Sequence, residues 1–361
     1  MGVIAAALLA DAEGFAAEPP RVKPESGPWS AEKKFEPTTG KAKKFRRSVS
    51  GIACPEPSSS ESRLCLIAFD EGAEARYATI GNNSYSADGE RVKLHASAGE
   101  LDAEGAATDG SYYYVTGSHS PKRKTCQKNP DSRHVIRFAV DATTGRALRD
   151  PAEDPNGSLV RYQDVDHLWK VIAELPGLKK HVGKHKCLGT EPPEEARHLK
   201  GRRGANIEGL AVKDGRLFFG FRGPAKDGQT FILSVRTEAL FAGSDPKPEL
   251  TRIVVGERRG IRDLYAVEDG ILILAGPDDD ASSSDAHWIV ALWDGKGAAH
   301  SPVEPKVLAQ LDLAGVKRRP CDKELKPEAL TLLGPPTDHY HLLILSDGMC
   351  DGGPLEFKIP R

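Results

Sequence analysis

The stretch LDAEGAATDGSYYYVTGSHS, residues 101–120, carries the pattern that predicts the fold. A polar opener leads into a strand of small apolar residues, an Asp-Gly turn and a strongly apolar strand with a polar end. Asp-Gly suits the positive φ angles of a tight hairpin. Because NIEGLAVKDGRLFFGFRG, residues 206–223, has the same layout, the hairpin is predicted to be one copy of a repeated unit.

Five segments share this layout and indicate an all-β chain. Their openers contain the residues Gly51, Glu104, Glu208, Asp263 and Glu328, which are 53, 104, 55 and 65 residues apart by subtraction. Units of about 40–50 residues with four short strands are typical of a β-propeller. The doubled interval predicts a sixth unit near residues 155–205, so we expect six blades. An N-terminal strand near residues 43–50 is expected to complete the ring.

The doubled interval contains a predicted helical insertion near residues 164–183. In DVDHLWKVIAELPGLKKHVG the residues Leu168, Val171, Ile172 and Leu175 recur at helical spacing. If this insertion replaces a blade, the ring has five blades. Two packed β-domains are the less favoured architecture, because the openers recur from end to end without a linker. We expect one propeller domain over residues 43–361, preceded by a flexible segment, residues 18–42.

The overall charge excludes some classes of partner. Lys and Arg number 50 against 52 Asp and Glu, a formal net charge of -2, which gives no general attraction to nucleic acid or an acidic membrane. No stretch reaches the roughly 18 apolar residues that span a bilayer. A small-molecule ligand or a partner protein is the expected binding partner.

The first 17 residues are predicted to be a signal peptide. VIAAALLA, residues 3–10, forms a short apolar core, and GFA, residues 14–16, offers small residues for cleavage. The missing basic residue before this core and the acidic Asp11 and Glu13 after it are atypical, and an Ala-rich frayed terminus is the alternative. Export would place the protein in the periplasm or outside the cell.

The cysteines support export. There are six and no C-x-x-C pair, and an even number of widely spaced cysteines in an exported chain favours disulfides. Three bridges are predicted, and six reduced thiols are the alternative. Cys54 and Cys65 flank one hairpin, and Cys321 and Cys350 flank antiparallel strands of one blade. The remaining pair, Cys126 with Cys187, would tie the helical insertion to its blade.

Several motifs together resemble one bacterial family. These motifs are SGIAC, ELDAEGAATDGSYYYVTGSHS, NIEGLAVKDGRLFFGFRG, GIRDLYAV and SDGMCDGG. They are similar to the family catalogued as domain of unknown function 3616, over roughly residues 48–361. The resemblance implies a propeller-type fold and brings no catalytic residues with it. A shorter stretch is similar to phytase-like and esterase-like propellers, whose blades also open with Glu-Gly-small-Ala strands.

The openers predict a metal site on the axis of the propeller. The first strand of each blade lines the central channel, so equivalent openers converge there. The expected ligands are Asp102, Glu104, Asn206, Glu208, Asp263 and Glu328. Carboxylate and amide oxygens at close range suit calcium. The alternative is that each carboxylate accepts hydrogen bonds from a neighbouring blade and serves only the structure.

A second set of polar residues follows the long apolar strands and includes Asp70, His119, Arg222 and Asp347. His119 is a candidate general base near a metal-bound water, since an imidazole titrates close to neutral pH; capping a loop is its alternative role. Arg222 could clamp a phosphate or carboxylate, or pair with a channel Glu.

Two functions are compatible with these residues. The favoured one is an exported propeller that binds a ligand or partner at a carboxylate-lined channel mouth, with a calcium ion. The alternative is a metal-dependent hydrolase of small esters or phosphoesters that uses a cation-bound water.

Overall fold

A computed structural model describes most of the chain. The described residues are 18–37, 40–55, 62–81, 83–96, 99–152, 154, 156–183, 185–187, 194–199, 203–279, 286–297 and 301–361. The predicted signal peptide, residues 1–17, lies outside them.

The described strands form five radial sheets, preceded by β1 (Arg21–Val22) and helix α1 (Gly40–Phe45). Blade 1 contains β2 (Val49–Ala53), β3 (Ser62–Phe69), β4 (Glu74–Gly81) and β5 (Ser84–Lys93). Blade 2 contains β6 (Ala103–Thr108), β7 (Tyr112–Gly117) and β8 (Val135–Ala139); after a ribbon of β9 (Arg149–Asp150) and β10 (Ser158–Leu159), it ends with β11 (Gln163–Val165). Helix α2 (His167–Glu174) follows.

Blade 3 contains β12 (Asn206–Lys213), β13 (Arg216–Gly223), β14 (Gln229–Arg236) and, after helix α3 (Thr237–Phe241), β15 (Glu249–Val254). Blade 4 contains β16 (Arg259–Val267), β17 (Gly270–Pro277), β18 (Ile289–Trp293) and β19 (Lys306–Leu311), with β1 added in parallel at its outer edge. Blade 5 contains β20 (Lys326–Leu332), β21 (His339–Asp347) and β22 (Leu355–Pro360). Short 3-10 helices cover Pro130–Ser132, Lys179–His181, Glu194–Leu199 and Cys350–Gly352.

The five blades close into a ring. Five apolar clusters each join two neighbouring blades, including blade 5 to blade 1, where Leu345 packs in one cluster with Ile67. Alternate residues of a strand enter the clusters on its two sides: Phe219 packs towards blade 2 and Phe218 towards blade 4. The second strand of each blade is strongly apolar because both of its faces are buried.

The blade count of six is wrong, and the five-bladed alternative is confirmed. Residues 104–208 hold one blade because that interval contains the two outer strands of blade 2, the β9–β10 ribbon and α2. The helix is also shorter than expected. Residues 163–165 extend blade 2 as β11, and Leu175 is extended, with ψ 125°, because Pro176 disfavours a helical residue before it.

Helix α2 packs against blades 2 and 3 and does not form part of a further blade. Its residues Leu168, Val171 and Ile172 are buried in one cluster with Tyr114 of blade 2 and Phe219 of blade 3. In the part of the chain that the structure describes, no helix has the length and apolar composition needed to cross a membrane.

The ring is not completed by a strand near residues 43–50. Residues 40–45 form α1, and β2 is the innermost strand of blade 1. The segment before α1 lies along the outer edges instead. Glu25 and Trp29 donate backbone hydrogen bonds to blade 5, both at 2.9 Å, and Glu32 donates one to Tyr85 of blade 1.

The three predicted disulfides are confirmed. Cys54 pairs with Cys65, Cys126 with Cys187, and Cys321 with Cys350, with Cα–Cα separations of 4.3, 4.8 and 6.0 Å. The second bridge connects the loop after β7 to the segment after α2, which attaches the helical insertion to blade 2.

Candidate functional site

A β-bulge in each innermost strand places one residue out of the ladder at the same level of the ring. The bulged residues are Ser50, Glu104, Glu208, Arg262 and Glu328. A bulge leaves its residue unpaired and redirects the side chain. The sequence repeat therefore marks one equivalent bulged position in each of the five inner strands.

Arg262 connects two of the predicted carboxylates. Its Nη1 donates to Glu208 Oε2 at 2.9 Å and to Glu328 Oε1 at 2.7 Å, and the whole guanidinium is buried. Arg222 Nη1 donates to Glu208 Oε1 at 3.0 Å, and Asn206 Nδ2 donates to the same oxygen at 2.9 Å. Despite burial, the two arginines lower the pKa of Glu208, so Glu208 is a carboxylate matched to two cations.

Glu328 differs in charge state from Glu208. Burial and repulsion by Asp347 raise the pKa of Glu328 to about 8, although Arg262 opposes the shift. The two acids compete for one guanidinium, and Glu208, which also has Arg222, keeps the negative charge. Glu328 is therefore largely protonated at neutral pH.

Asp263 does not join the ring. The residue equivalent to Glu104 is Arg262, so Asp263 occupies the next position along the strand. Its Oδ1 accepts from the Leu264 N–H at 2.8 Å and its Oδ2 from the Leu330 N–H of blade 5 at 2.7 Å. Asp263 thus accepts a hydrogen bond from the backbone of a neighbouring blade, which is the structural alternative to metal binding. It connects the inner strands of blades 4 and 5.

The mouth cavity, a space of about 970 Å³ at one end of the channel, contains three of the predicted ligands. They are Asp102, Glu104 and Asn206. Asp70 and Asp347, from the ends of β3 and β21, also line it. Carboxylates from blades 1, 2 and 5 therefore face one space beside Asn206 of blade 3.

The acids of the mouth cavity repel one another. Desolvation and the charges of Asp102 and Glu208 raise the pKa of Glu104 well above its usual range. Desolvation and the charge of Asp347 do the same to Asp70. Like-charged carboxyl groups at close range either share protons or attract a cation.

Two buried oxygens at the mouth cavity have no hydrogen-bond partner among the described residues. They are Asp70 Oδ1 and Asn206 Oδ1. A buried acceptor without a donor costs about 1–3 kcal/mol. Asp102 is different, since its Oδ2 accepts from Ser118 Oγ and, at 3.4 Å, from Ser120 Oγ. The cavity thus offers free acceptors beside acids of raised pKa.

Neither of the two predicted catalytic residues belongs to the described lining of the mouth cavity. His119 is buried, its Nδ1 donates to Gly117 O at 2.9 Å, and its charged neighbours are His134, Arg133 and Asp166, none of which lines the mouth cavity. Burial lowers the pKa of His119 to about 4. Arg222 pairs with Glu208, which is the alternative that the sequence allowed for it.

Sequence reasoning missed Arg262 and Ser50. The signal for Arg262 was the alignment of IRDL with AEGA and IEGL, in which Arg stands at the Glu position. Matching by charge aligns Asp263 with Glu104 and Glu208 instead, which is one residue out of register. Ser50 precedes the Gly51 that was aligned, and its Oγ donates to Ala103 O of blade 2.

The protonated state of Glu328 makes stability depend on pH. Its folded-state pKa of about 8 lies above the ordinary value of 4.5, so its contribution to stability is complete below pH 4.5 and is lost as the pH rises through 8. We expect Glu328→Gln to reduce the fall in stability across this window by up to ~1.4 kcal/mol per pH unit. Urea unfolding at several pH values measures the slope.

Glu249→Gln is the control for this prediction, because Glu249 lies on β15 with a side chain that is 71% exposed. Some slope should remain in Glu328→Gln, since Asp70 and Glu104 also have raised pKa values. A slope equal to that of the control variant would show that Glu328 is ionised in the folded protein.

The fold and the site define a five-bladed β-propeller whose channel mouth contains carboxylates from blades 1, 2 and 5. The chain belongs to the family described as protein of unknown function (DUF3616), whose model matches residues 61–148 and 199–352, more than half of the chain. The comparison with curated proteins gave no match. The similarity to phytase-like and esterase-like propellers is not shown by these comparisons.

Among solved structures, the chain is similar to several glycoside hydrolases. The catalytic domain of the Coprinopsis cinerea GH62 α-L-arabinofuranosidase is 8% identical with a TM-score of 0.45, covering 93% of this chain and 98% of that one. Cellvibrio cellulosa α-L-arabinanase in complex with arabinohexaose is 9% identical with a TM-score of 0.40, covering 86% and 91%. At these TM-scores the likeness carries no argument about activity.

Proposed function

We propose that the protein binds a small molecule in the mouth cavity through a positively charged group of that molecule. The observation that carries the proposal is the pair of buried, unpartnered acceptors, Asp70 Oδ1 and Asn206 Oδ1, beside Glu104. A protonated amine supplies N–H donors to both oxygens and a charge that offsets the repulsion between the acids.

The charge of the cavity as a whole does not explain such binding. The described lining contains eight acidic residues: Asp70, Glu71, Glu100, Asp102, Glu104, Asp131, Glu324 and Asp347. It also contains seven basic ones: Lys44, Arg47, Lys122, Arg123, Lys124, Lys323 and Lys326. Long-range attraction is therefore weak, and recognition depends on the short-range contacts of Asp70, Glu104 and Asn206.

Calcium remains a proposal for the same oxygens. Asp70, Asp102, Glu104 and Asn206 offer the hard oxygen donors that this ion prefers. Among the described residues, however, no three carboxylates of the mouth bring their oxygens within 4.8 Å of one another. Calcium would require side-chain rotation, whereas an amine with several N–H groups can bridge the wider spacing.

We infer a periplasmic or secreted location for this binding protein. The three disulfides, Cys54–Cys65, Cys126–Cys187 and Cys321–Cys350, support this inference, because such bonds persist in oxidising compartments.

Calorimetric titration of the purified protein tests the proposal. The probes are calcium chloride, butane-1,4-diamine and spermidine. We expect an amine to bind and Glu104→Gln or Asp70→Asn to weaken it at least tenfold, about 1.4 kcal/mol each. Glu71→Gln is the matched control, because Glu71 lines the same cavity but pairs with Lys44. The affinity of this variant for the amine should match that of the wild type.

The outcomes separate the candidate functions. Binding of calcium alone, lost in Glu104→Gln, would make the site a calcium site. Absence of any binding, or equal affinity in Glu104→Gln and Glu71→Gln, would refute the proposal. His119 is not part of the described lining of this mouth, so the hydrolase alternative would use another base there. It is tested by nitrophenyl esters and phosphoesters with and without a chelator, where we expect no turnover.

A further inference from the structure

Two histidines and one aspartate meet at the outer part of blades 1 and 2. His95 follows β5 in the connection from blade 1, His134 lies just before β8, and Asp164 lies in β11. Strands β8 and β11 are paired, with Asp164 opposite Ile136. Three separate segments therefore bring these side chains together, and neither composition nor spacing in the sequence indicates it.

The geometry directs both imidazoles at one carboxylate. His95 Nδ1 lies 2.5 Å from Asp164 Oδ2, and His134 Nδ1 lies 2.6 Å from Asp164 Oδ1. The ring centroids of the two histidines are 4.2 Å apart with an angle of 44° between the planes. One potential ligand atom from each residue lies within 4.8 Å of the other two. All three donors thus surround one small volume.

We propose that His95, His134 and Asp164 bind a first-row divalent metal ion, for which zinc is the reference. Two imidazole nitrogens and one carboxylate oxygen form a donor set that zinc uses, with ligand distances of about 2.0–2.2 Å. Tetrahedral ligands at such distances are about 3.4 Å apart. The donors must therefore separate by about an ångström, which a rotation of the Asp164 carboxylate allows.

The surroundings leave access for the ion and for a fourth ligand. The side chains of His95, Asp164 and His134 are 10, 15 and 22% exposed. Three protein ligands leave an open position for water or an external ligand. Tyr162 supports the carboxylate, since its hydroxyl lies 3.4 Å from Asp164 Oδ2 and donates to Leu94 O at 2.6 Å.

This metal site is separate from the mouth cavity. None of its three residues belongs to the described lining of that cavity. The second cluster of this kind, Cys321, Asp322 and Cys350, is not a candidate, because its two cysteines form a disulfide. Metal binding at His95, His134 and Asp164 is therefore a property independent of the proposed amine binding.

Titration of the chelator-treated full chain with zinc, and with cobalt as a spectroscopic probe, tests this inference. We expect one equivalent of zinc to bind and a hundredfold excess over Kd to raise the melting temperature by about 3–4 °C. Cobalt should show the visible absorption of a site with nitrogen and oxygen ligands. Asp164→Asn and His134→Gln should each weaken zinc binding at least a hundredfold.

His341→Gln is the matched control, because His341 also contacts a carboxylate, Glu356 at 2.6 Å, without a second histidine. It should bind zinc like the wild type. If His134→Gln fails to fold, Asp164→Asn, which keeps an oxygen acceptor, decides the matter. No zinc binding to the wild type, or equal binding in Asp164→Asn and His341→Gln, would overturn the inference and leave a His–Asp–His hydrogen-bond network.

Discussion

Replacing Asp351 with asparagine is expected to lower the free energy of unfolding by about 3–5 kcal/mol. Asp351 is 2% exposed, and its Oδ1 accepts from Arg46 Nε at 2.9 Å and from the Phe35 N–H at 3.1 Å. Its Oδ2 pairs with Arg46 Nη2. Asparagine would remove the negative charge that Asp351 places against this buried guanidinium. Because asparagine tolerates the positive φ of 56° at this position, backbone strain does not contribute.

Urea unfolding of Asp351→Asn measures this effect against Asp338→Asn in the same blade. Asp338 is 82% exposed beside His339, so its replacement should change stability by less than about 0.5 kcal/mol. Arg46→Met combined with Asp351→Asn should cost less than the sum of the single variants. Equal stability of the two Asp→Asn variants would mean that the Arg46–Asp351 pair does not hold the ring closed.

The hairpins could be predicted because their signals are local. Asp-Gly at a turn and an apolar strand after it are properties of about ten neighbouring residues. The Cys54–Cys65 bridge follows from the same hairpin, and the Cys321–Cys350 bridge from the strands of one blade. Ring closure is not local, since Arg46 and Phe35 meet Asp351 across 305 and 316 residues.

The blade number could not be derived from spacing alone. The sequence separation between Glu104 and Glu208 is about that of two blades. Residues inserted between the outer strands of blade 2 lengthen this separation in the same way as an additional blade would. The helix at 167–174 was the correct indication of an insertion. Its buried face packs against blade 3. The inserted residues therefore cover existing blades and do not form a further one.

The candidate site was predicted in outline and misaligned in one blade. Glu104, Glu208 and Glu328 were identified because each precedes a small residue, Gly105, Gly209 or Ala329. In blade 4 the same two positions are Arg262 and Asp263, so both the charge and the small side chain are replaced. The register of the strands shows that Arg262 takes the place of a carboxylate, and its hydrogen bonds reach Glu208 and Glu328.

A small residue after the bulge allows the inner strands of neighbouring blades to approach each other closely. A Cβ atom on Gly51 would lie 2.8 Å from the backbone nitrogen of Ala106 and 3.1 Å from the backbone carbon of Gly105. Backbone atoms cannot rotate away from it. We therefore expect Gly51→Ala to lower the free energy of unfolding by about 1–3 kcal/mol, measured by urea unfolding.

Gly89→Ala is the matched control for Gly51→Ala: Gly89 lies in the outer strand β5, and nothing is within 4 Å of its added Cβ. That change should be neutral or stabilise by up to about 1 kcal/mol, since alanine restricts the unfolded chain. Asp263 and Ala329 carry a Cβ at the equivalent position of blades 4 and 5, so the ring tolerates one there. If Gly51→Ala were as stable as Gly89→Ala, the inner strands of blades 1 and 2 would also accommodate a Cβ atom. The glycine would then not be required for ring closure.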